Sequence, residues 1–227
     1  MFQKLINIVY PNRCIICGDF TKSALNICDE CTPKIEIITE TTCKKCGLPQ
    51  KACECSRFTY HFKALTAPFI NDGAMKSGIY NLKFKGYADA ALFYAKFMAQ
   101  FINKKFSGVD FDCVCEVPMR GRDRRRRGYN QAELLAKHTA KLLNIPHQKR
   151  LLIKTKNTKT QHSQNMEQRW MNIRNVFAVN SKYDVTGKTV LLIDDIKTTG
   201  ATLDECARTL KLKGALEVYC ATALITV

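Results

Sequence analysis

Long apolar runs are missing from this 227-residue chain, and none approaches the roughly 18 residues needed to span a bilayer. The start, Met1 to Pro11, has Phe2, Leu5, Ile6 and Val9 at helical spacing. It lacks a continuous apolar core and a cleavage site, so it reads as a short helix and not as a secretory signal. Two phosphate-binding fingerprints are also absent, G-x-x-x-x-G-K-[ST] and G-x-G-x-x-G, which excludes a Walker loop and a dinucleotide fold of the usual kind. His138, His147 and His162 have no metal-ligand spacing, and no Ser/His/Asp or Cys/His constellation stands out, so no nucleophile is assigned. There is no internal repeat and no low-complexity linker. Acid is scarce: 20 Asp plus Glu stand against 36 Lys plus Arg, a net charge of +16.

Cysteine is abundant instead. With no export signal, the expected location is the cytoplasm, where disulfides rarely persist, so twelve cysteines need another explanation. Eight of them fall before residue 56, in pairs: Cys14 with Cys17, Cys28 with Cys31, Cys43 with Cys46, and Cys53 with Cys55. Two cysteines three apart, followed by Gly as at Gly18 and Gly47, bend into a knuckle that offers two thiolates to a tetrahedral Zn²⁺. The segment has few large apolar residues, and structural zinc supplies about 10 kcal/mol or more of folding energy in small modules. Two structural zinc sites are therefore expected, either in sequential pairing or cross-braced, first pair with third and second with fourth. Cys113, Cys115, Cys206 and Cys220 lie in apolar stretches and read as buried small hydrophobes.

The cysteine pattern stops near His61. We expect a zinc-ribbon domain over 1–60, including the short N-terminal helix, and a second domain over 61–227. The second carries nearly all of the net charge. In it the spacing predicts a strand from Phe62 to Ile70, helices at Ala74–Lys85 and Ala88–Lys105, and a strand at Cys113–Met119. A helix at Asn130–Asn144 follows, then an irregular basic loop or hairpin over 147–175. Strand Lys188–Ile193, helix Ala201–Lys213 and strand Glu217–Ile225 complete the series. Alternation of this kind argues for an α/β domain with a mostly parallel sheet and flanking helices, binding its ligand outside the carboxyl ends of the strands.

The chemistry concentrates between Val190 and Thr202. Four apolar residues, Val190 to Ile193, read as a buried central strand. Asp194 and Asp195 end it, and a short loop with Thr198, Thr199 and Gly200 opens the next helix at Ala201 and Thr202. Backbone N–H groups at a helix start, with hydroxyls beside them, suit a phosphate dianion. The carboxylates would repel that phosphate unless they address sugar hydroxyls or a divalent cation. The combination fits a ribose 5-phosphate.

This segment resembles the phosphoribosyl pyrophosphate (PRPP) signature of the type I phosphoribosyltransferases. The resemblance implies that Asp194 and Asp195 meet the ribose hydroxyls, and that Lys197 to Thr202 wrap the 5′-phosphate, with Mg²⁺ accompanying PRPP. Lys197 departs from the usual pattern, and is read either as a further phosphate contact or as a side chain in solvent. Three more elements narrow the likeness. Arg120–Ala136 is similar to the R-x-R-G-[FY]-N-Q-A-x-x-L-A block of the ComF family, Leu82–Gly86 to its L-K-[FY]-K-G element, and Thr160, Gln161, Arg169, Asn172 and Phe177 to its T-Q…R-x-x-N…F segment. That family also carries an N-terminal zinc ribbon and is associated with uptake of transforming DNA. The resemblance implies a type I phosphoribosyltransferase-like sheet, with a pyrophosphate loop at Pro118, Met119 and Arg120, a further contact from Lys85, and a mobile loop over 147–175.

Most of the surplus charge lies in two segments. Arg120–Arg127 holds six Arg and one Asp, and 147–175 holds seven cations against Glu167. PRPP needs only some of them. The remainder suits a polyanion such as single-stranded DNA, which binds basic grooves bearing stacking aromatics. Candidate contacts are Arg124, Arg125, Arg126, Arg127, Tyr129, Arg169 and Trp170. Two functions compete. One is the handling of incoming single-stranded DNA in natural transformation, on a PRPP-binding platform and with other competence proteins as partners. The other is an active phosphoribosyltransferase that passes ribosyl phosphate to a base-like or amine acceptor. After the last strand the chain stops at Val227, so the expectation is that the zinc domain supplies the wall for a base or that there is no conventional base pocket.

Overall fold

Strand Thr189–Lys197 (β6) occupies the interior of a parallel sheet because its side chains are apolar on both faces. Leu191 and Ile193 enter one core, and Val190 and Leu192 enter the other. The computed structural model describes residues 12–53, 55–56, 58–155 and 173–227. The expected helix before Asn12 lies outside the described residues, as do Thr160, Gln161, Arg169, Trp170 and Asn172.

On one side of β6 lies Cys113–Glu116 (β3), and on the other lies Glu217–Ile225 (β7). Along the far edge of β7 run Ala64–Thr66 (β1) and Phe69–Ile70 (β2), in series. All of these pairings are parallel. The expected strand from Phe62 to Ile70 is thus two short strands, interrupted at Ala67 and Pro68, where proline has no N–H to give to a ladder. Leu152–Lys154 (β4) and Phe177–Val179 (β5) pair antiparallel outside the sheet, so the basic segment is built on a hairpin base.

Helices Gly73–Phe84 (α1), Ala90–Lys105 (α2) and Gln131–Leu143 (α4) contribute to the core on one face. Ala201–Leu212 (α5) covers the other, burying Leu203, Cys206, Ala207 and Leu210 at i, i+3, i+4 and i+7. The short helix Gly121–Arg127 (α3) buries nothing. Asn130 caps the start of α4 by accepting from the Ala132 N–H, and Asn144 ends it in the left-handed region (φ 56°). Cys113, Cys115, Cys206 and Cys220 are fully buried among apolar neighbours, as their setting predicts.

The N-terminal segment is welded onto this frame at both faces. Ile15 and Ile27 enter the core of α1 and α2, and Asn81 donates from Nδ2 to the carbonyls of Ile15 (2.9 Å) and Ile16 (3.0 Å). Leu48 enters the opposite core beside Phe62 and Leu65. The Lys105 ammonium at the end of α2 donates to Thr42 Oγ1 at 2.6 Å and to the Cys43 carbonyl at 3.1 Å.

Gly47 brings the second ribbon close to the backbone of β1. Its φ is +74°, and a Cβ there would stand 2.8 Å from the backbone oxygen of Leu65 in β1. Because that oxygen belongs to a strand and cannot turn aside, Gly47→Ala is expected to cost about 2–3 kcal/mol. Urea denaturation in excess zinc measures it.

Candidate functional site

Each half of the N-terminal segment is a minimal ribbon. Isolated bridges join Arg13 to Phe20 and Thr42 to Pro49, and the Gly18 and Gly47 N–H groups return to the carbonyls of Cys14 (2.9 Å) and Cys43 (3.1 Å). These knuckles bring the sulfurs of Cys14, Cys17, Cys28 and Cys31 within 4.8 Å of one another, and likewise those of Cys43, Cys46, Cys53 and Cys55. Pairing is therefore sequential and not cross-braced. The Sγ atoms of Cys17 and Cys28 are 3.7 Å apart, as are those of Cys43 and Cys55; Cys46 and Cys53 are 3.8 Å apart. Zn–S bonds of about 2.3 Å at tetrahedral angles put sulfurs about 3.8 Å apart. Both four-cysteine sets fit structural zinc, and the one-residue gap between Cys53 and Cys55 does not prevent it.

The second site lies at the carboxyl ends of β3 and β6. Strand β6 continues through both aspartates to Lys197, held by pairs such as Asp194 with Thr222 and Lys197 with Ile225, four residues beyond the expected end. Residues 198–200 then turn, and Gly200 (φ +83°) leads into α5. Thr198 is exposed, Thr199 and Thr202 are half-buried, and Gly200 and Ala201 are buried beneath them. A Cβ on Gly200 would lie 3.3 Å from the Tyr60 ring and 3.5 Å from Lys197 Cε. Lys197 is 1% exposed, so its side chain does not point into solvent; the stem packs under the turn. From below, Asp204 in the first turn of α5 holds the His61 ring at 2.8 Å, which fixes the junction between ribbon and sheet to the helix start.

The two aspartates differ. Asp195 is buried, with Oδ1 2.9 Å from the Lys83 ammonium of α1 and Oδ2 without a hydrogen-bond partner among the described residues. Desolvation and the neighbouring Asp195 carboxylate push the Asp194 carboxyl up to about 8, against the opposing pull of Lys83 and Lys154. Lys154, at the end of β4, is itself lowered by burial and by Arg120. Lys83 and Lys154 are thus the cations closest in effect to the acidic pair. Lys85, the expected contact, is exposed at the C-cap of α1. Lys83 belongs to the same L-K-F-K-G run, and only the helix phase of α1 distinguishes the two.

Pro118, Met119 and Arg120 follow β3 beside this pair, because Val117 N–H donates to the Ile193 carbonyl (2.9 Å) and Asn130 Nδ2 donates to the Val117 carbonyl (3.1 Å). The arginines then form α3. Arg125 and Arg126 are exposed, whereas Arg124 lies 3.4 Å from Glu133, which also pairs with Lys149 at 2.6 Å. Glu133 therefore joins the two basic segments. Arg127 sits 5.0 Å over the Phe84 ring and donates to Gln131. Tyr129 is half-buried: its hydroxyl donates to the Leu82 carbonyl and its ring packs on the α1–α2 core. Among the described residues, no helix is long and apolar enough to cross a membrane.

Residues 5–59 match the family model of the double zinc ribbon domain, and residues 130–225 that of the phosphoribosyl transferase domain. Competence protein F of Haemophilus influenzae is 34% identical over 108 residues, covering 47% of this chain and 47% of that relative, so the chain aligns with about half its length. DNA utilization protein YhgH of Salmonella typhimurium is 26% identical, covering 94% of this chain and 97% of its own. Competence protein ComFC of Bacillus subtilis is 28% identical, covering 83% and 79%.

The Asp194 carboxyl yields a pH prediction. Its pKa is about 8 in the folded chain and near 4 unfolded, so the folded state holds the extra proton between those values. Stability consequently falls as pH rises from about 4 to about 8. Asp194→Asn is expected to melt above the parent at pH 9 and close to it at pH 4, as followed by circular dichroism.

Proposed function

We propose, from the premise that this chain is a ComF-type homologue with a double zinc ribbon ahead of a phosphoribosyl transferase domain, that it binds PRPP and handles incoming single-stranded DNA in natural transformation. The observation that carries the PRPP reading is the buried Asp195 Oδ2 without a hydrogen-bond partner among the described residues, on the strand that leads through residues 198–200 into α5. A buried carboxylate oxygen left unbonded costs about 1–3 kcal/mol or more, and a ribose hydroxyl would satisfy it. The Lys83 ammonium holds the other oxygen at 2.9 Å, which fixes the carboxyl in place and leaves Oδ2 for a ligand.

Thr198, Thr199, Gly200, Ala201 and Thr202 would receive the 5′-phosphate through backbone N–H groups and hydroxyls. The buried Lys197 stem and Tyr60 support that turn. Asp194 and Asp195 would take the ribose hydroxyls, and Pro118 to Arg120 with Lys154 would face the pyrophosphate. Mg²⁺ would offset the pyrophosphate charge when bound with PRPP. The zinc sites supply fold and not chemistry, since each has four protein ligands and no open position. The DNA reading rests on the relatives' names and on α3, whose Arg125 and Arg126 stand in solvent and whose Arg124 shares Glu133 with Lys149.

Calorimetry with PRPP and Mg²⁺ on the zinc-loaded chain tests the first half. Asp195→Asn is expected to weaken PRPP at least tenfold, and unchanged affinity would overturn the assignment. For the second half, oligo(dT) affinity should fall steeply with salt. Arg125→Gln with Arg126→Gln should reduce that slope by about 1.4, roughly 0.7 for each phosphate of the single strand left without its arginine. A salt-independent affinity contradicts a basic DNA surface.

A further inference from the structure

A cleft of about 700 Å³ opens between the second ribbon and the end of α2. It touches Ala64 and Tyr219, near the starts of β1 and β7, whereas the phosphate loop adjoins Ile225 at the end of β7. Six residues of strand separate the two places, about 20 Å. This is therefore a different site from the one described above.

Its chemistry is uneven in a useful way. Five lysines line it, Lys44, Lys45, Lys63, Lys104 and Lys105, against one carboxylate, Glu40. Two of the five have structural duties: Lys105 fastens the ribbon through Thr42 and Cys43, and Lys63 pairs with Glu217 at 3.3 Å. Lys45 lies 6.0 Å from the Phe62 ring. Lys44 and Lys104 are exposed and have no ion-pair partner among the described residues. They rise from the ribbon and from α2, so they face the cleft from two elements. Phe101, in the same lining and one turn before Lys104 on α2, is half-exposed and makes no ring contact among the described residues, unlike Phe106 and Tyr219, whose rings meet at 5.0 Å. Thr39, Thr41, Thr42 and Thr66 also line it.

We infer that this cleft is a second anion site that takes a nucleotide, its base against Phe101 and its phosphate between Lys44 and Lys104. Cations alone would suit any anion. The half-exposed ring among them selects one that carries a flat aromatic group, and the volume lies within the usual range for small-ligand sites. A free nucleotide and a nucleotide within a single strand share this chemistry. One wall is the ribbon that carries Cys43, so the site exists only while the second zinc holds that wall in place.

The test uses the zinc-loaded full chain with two probes, ATP and a 15-residue oligo(dT), and the variants Lys44→Glu with Lys104→Glu, and Phe101→Leu. All are repeated in an Arg125→Gln, Arg126→Gln background, so that binding at α3 does not mask the cleft. The charge reversals lie on exposed side chains and should leave zinc content, circular dichroism and PRPP affinity unchanged. A tenfold or greater loss for ATP alone identifies the free nucleotide, a loss for oligo(dT) alone identifies the strand, and a loss for both identifies a site that accepts either. Phe101→Leu should weaken the same probe by threefold or more. If neither probe binds the parent, or both bind the variants as well as the parent, the proposal is wrong. Because PRPP affinity is read separately, its loss by Asp195→Asn neither supports nor harms the cleft.

Discussion

Four thiolates cannot stay within 4 or 5 Å of one another as anions unless a cation sits among them, and this constraint applies twice in the first 55 residues. Much of the remaining structure leans on it. Neither ribbon has a core of its own, and each lends a few side chains to one of the two cores that sandwich the sheet: Ile15 and Ile27 on one face, Leu48 on the other. Loss of the metal would therefore remove part of the packing of the α/β sheet, and not just a detachable appendage. The Tyr60–His61 junction carries this dependence further, since it bears directly on the turn at Gly200 and on Asp204 of α5.

The site at the end of β6 is built on an electrostatic asymmetry. Two adjacent carboxylates in one strand necessarily point in different directions, and they meet different surroundings. One is paired with Lys83, while the other is penalised by burial and by its neighbour. An arrangement that is costly when empty and relieved by a polar or cationic ligand is what a recognition site requires, and it accounts for the concentration of lysine and arginine around so short a stretch of acid.

Much of this is legible in residue order. The run Val190–Ile193 announces a strand buried on both faces, and Leu203, Cys206, Ala207 and Leu210 announce the buried side of α5. The cysteine pairs announce two metal sites, though spacing alone leaves sequential and crossed pairing open; only the folded knuckles distinguish them. What composition cannot reveal is which of several equivalent side chains points inward. Lys83 and Lys85 differ by helix phase. Lys197 suits a ligand contact or a surface position by its place in the chain, and its burial under the turn excludes the second. Tyr129 has the ring for stacking, but its hydroxyl is committed to the Leu82 carbonyl. The cleft at Lys44 and Lys104 depends on two segments 60 residues apart and has no local signature at all.

The pairing of β1 with β7 joins Ala64 to Tyr219, residues separated by most of the chain. During synthesis the ribbons and their cysteines leave the ribosome long before β7 exists. The thiolates can take up zinc early, by local contacts with little loop entropy to overcome. The sheet must wait, because its two innermost strands are the last to be made, and parallel pairing across such distances is slow. Metal loading and sheet closure are thus separated in time. In the interval Leu48, Phe62 and Leu65 have no partner surface, and this is the period when the chain is most exposed to aggregation.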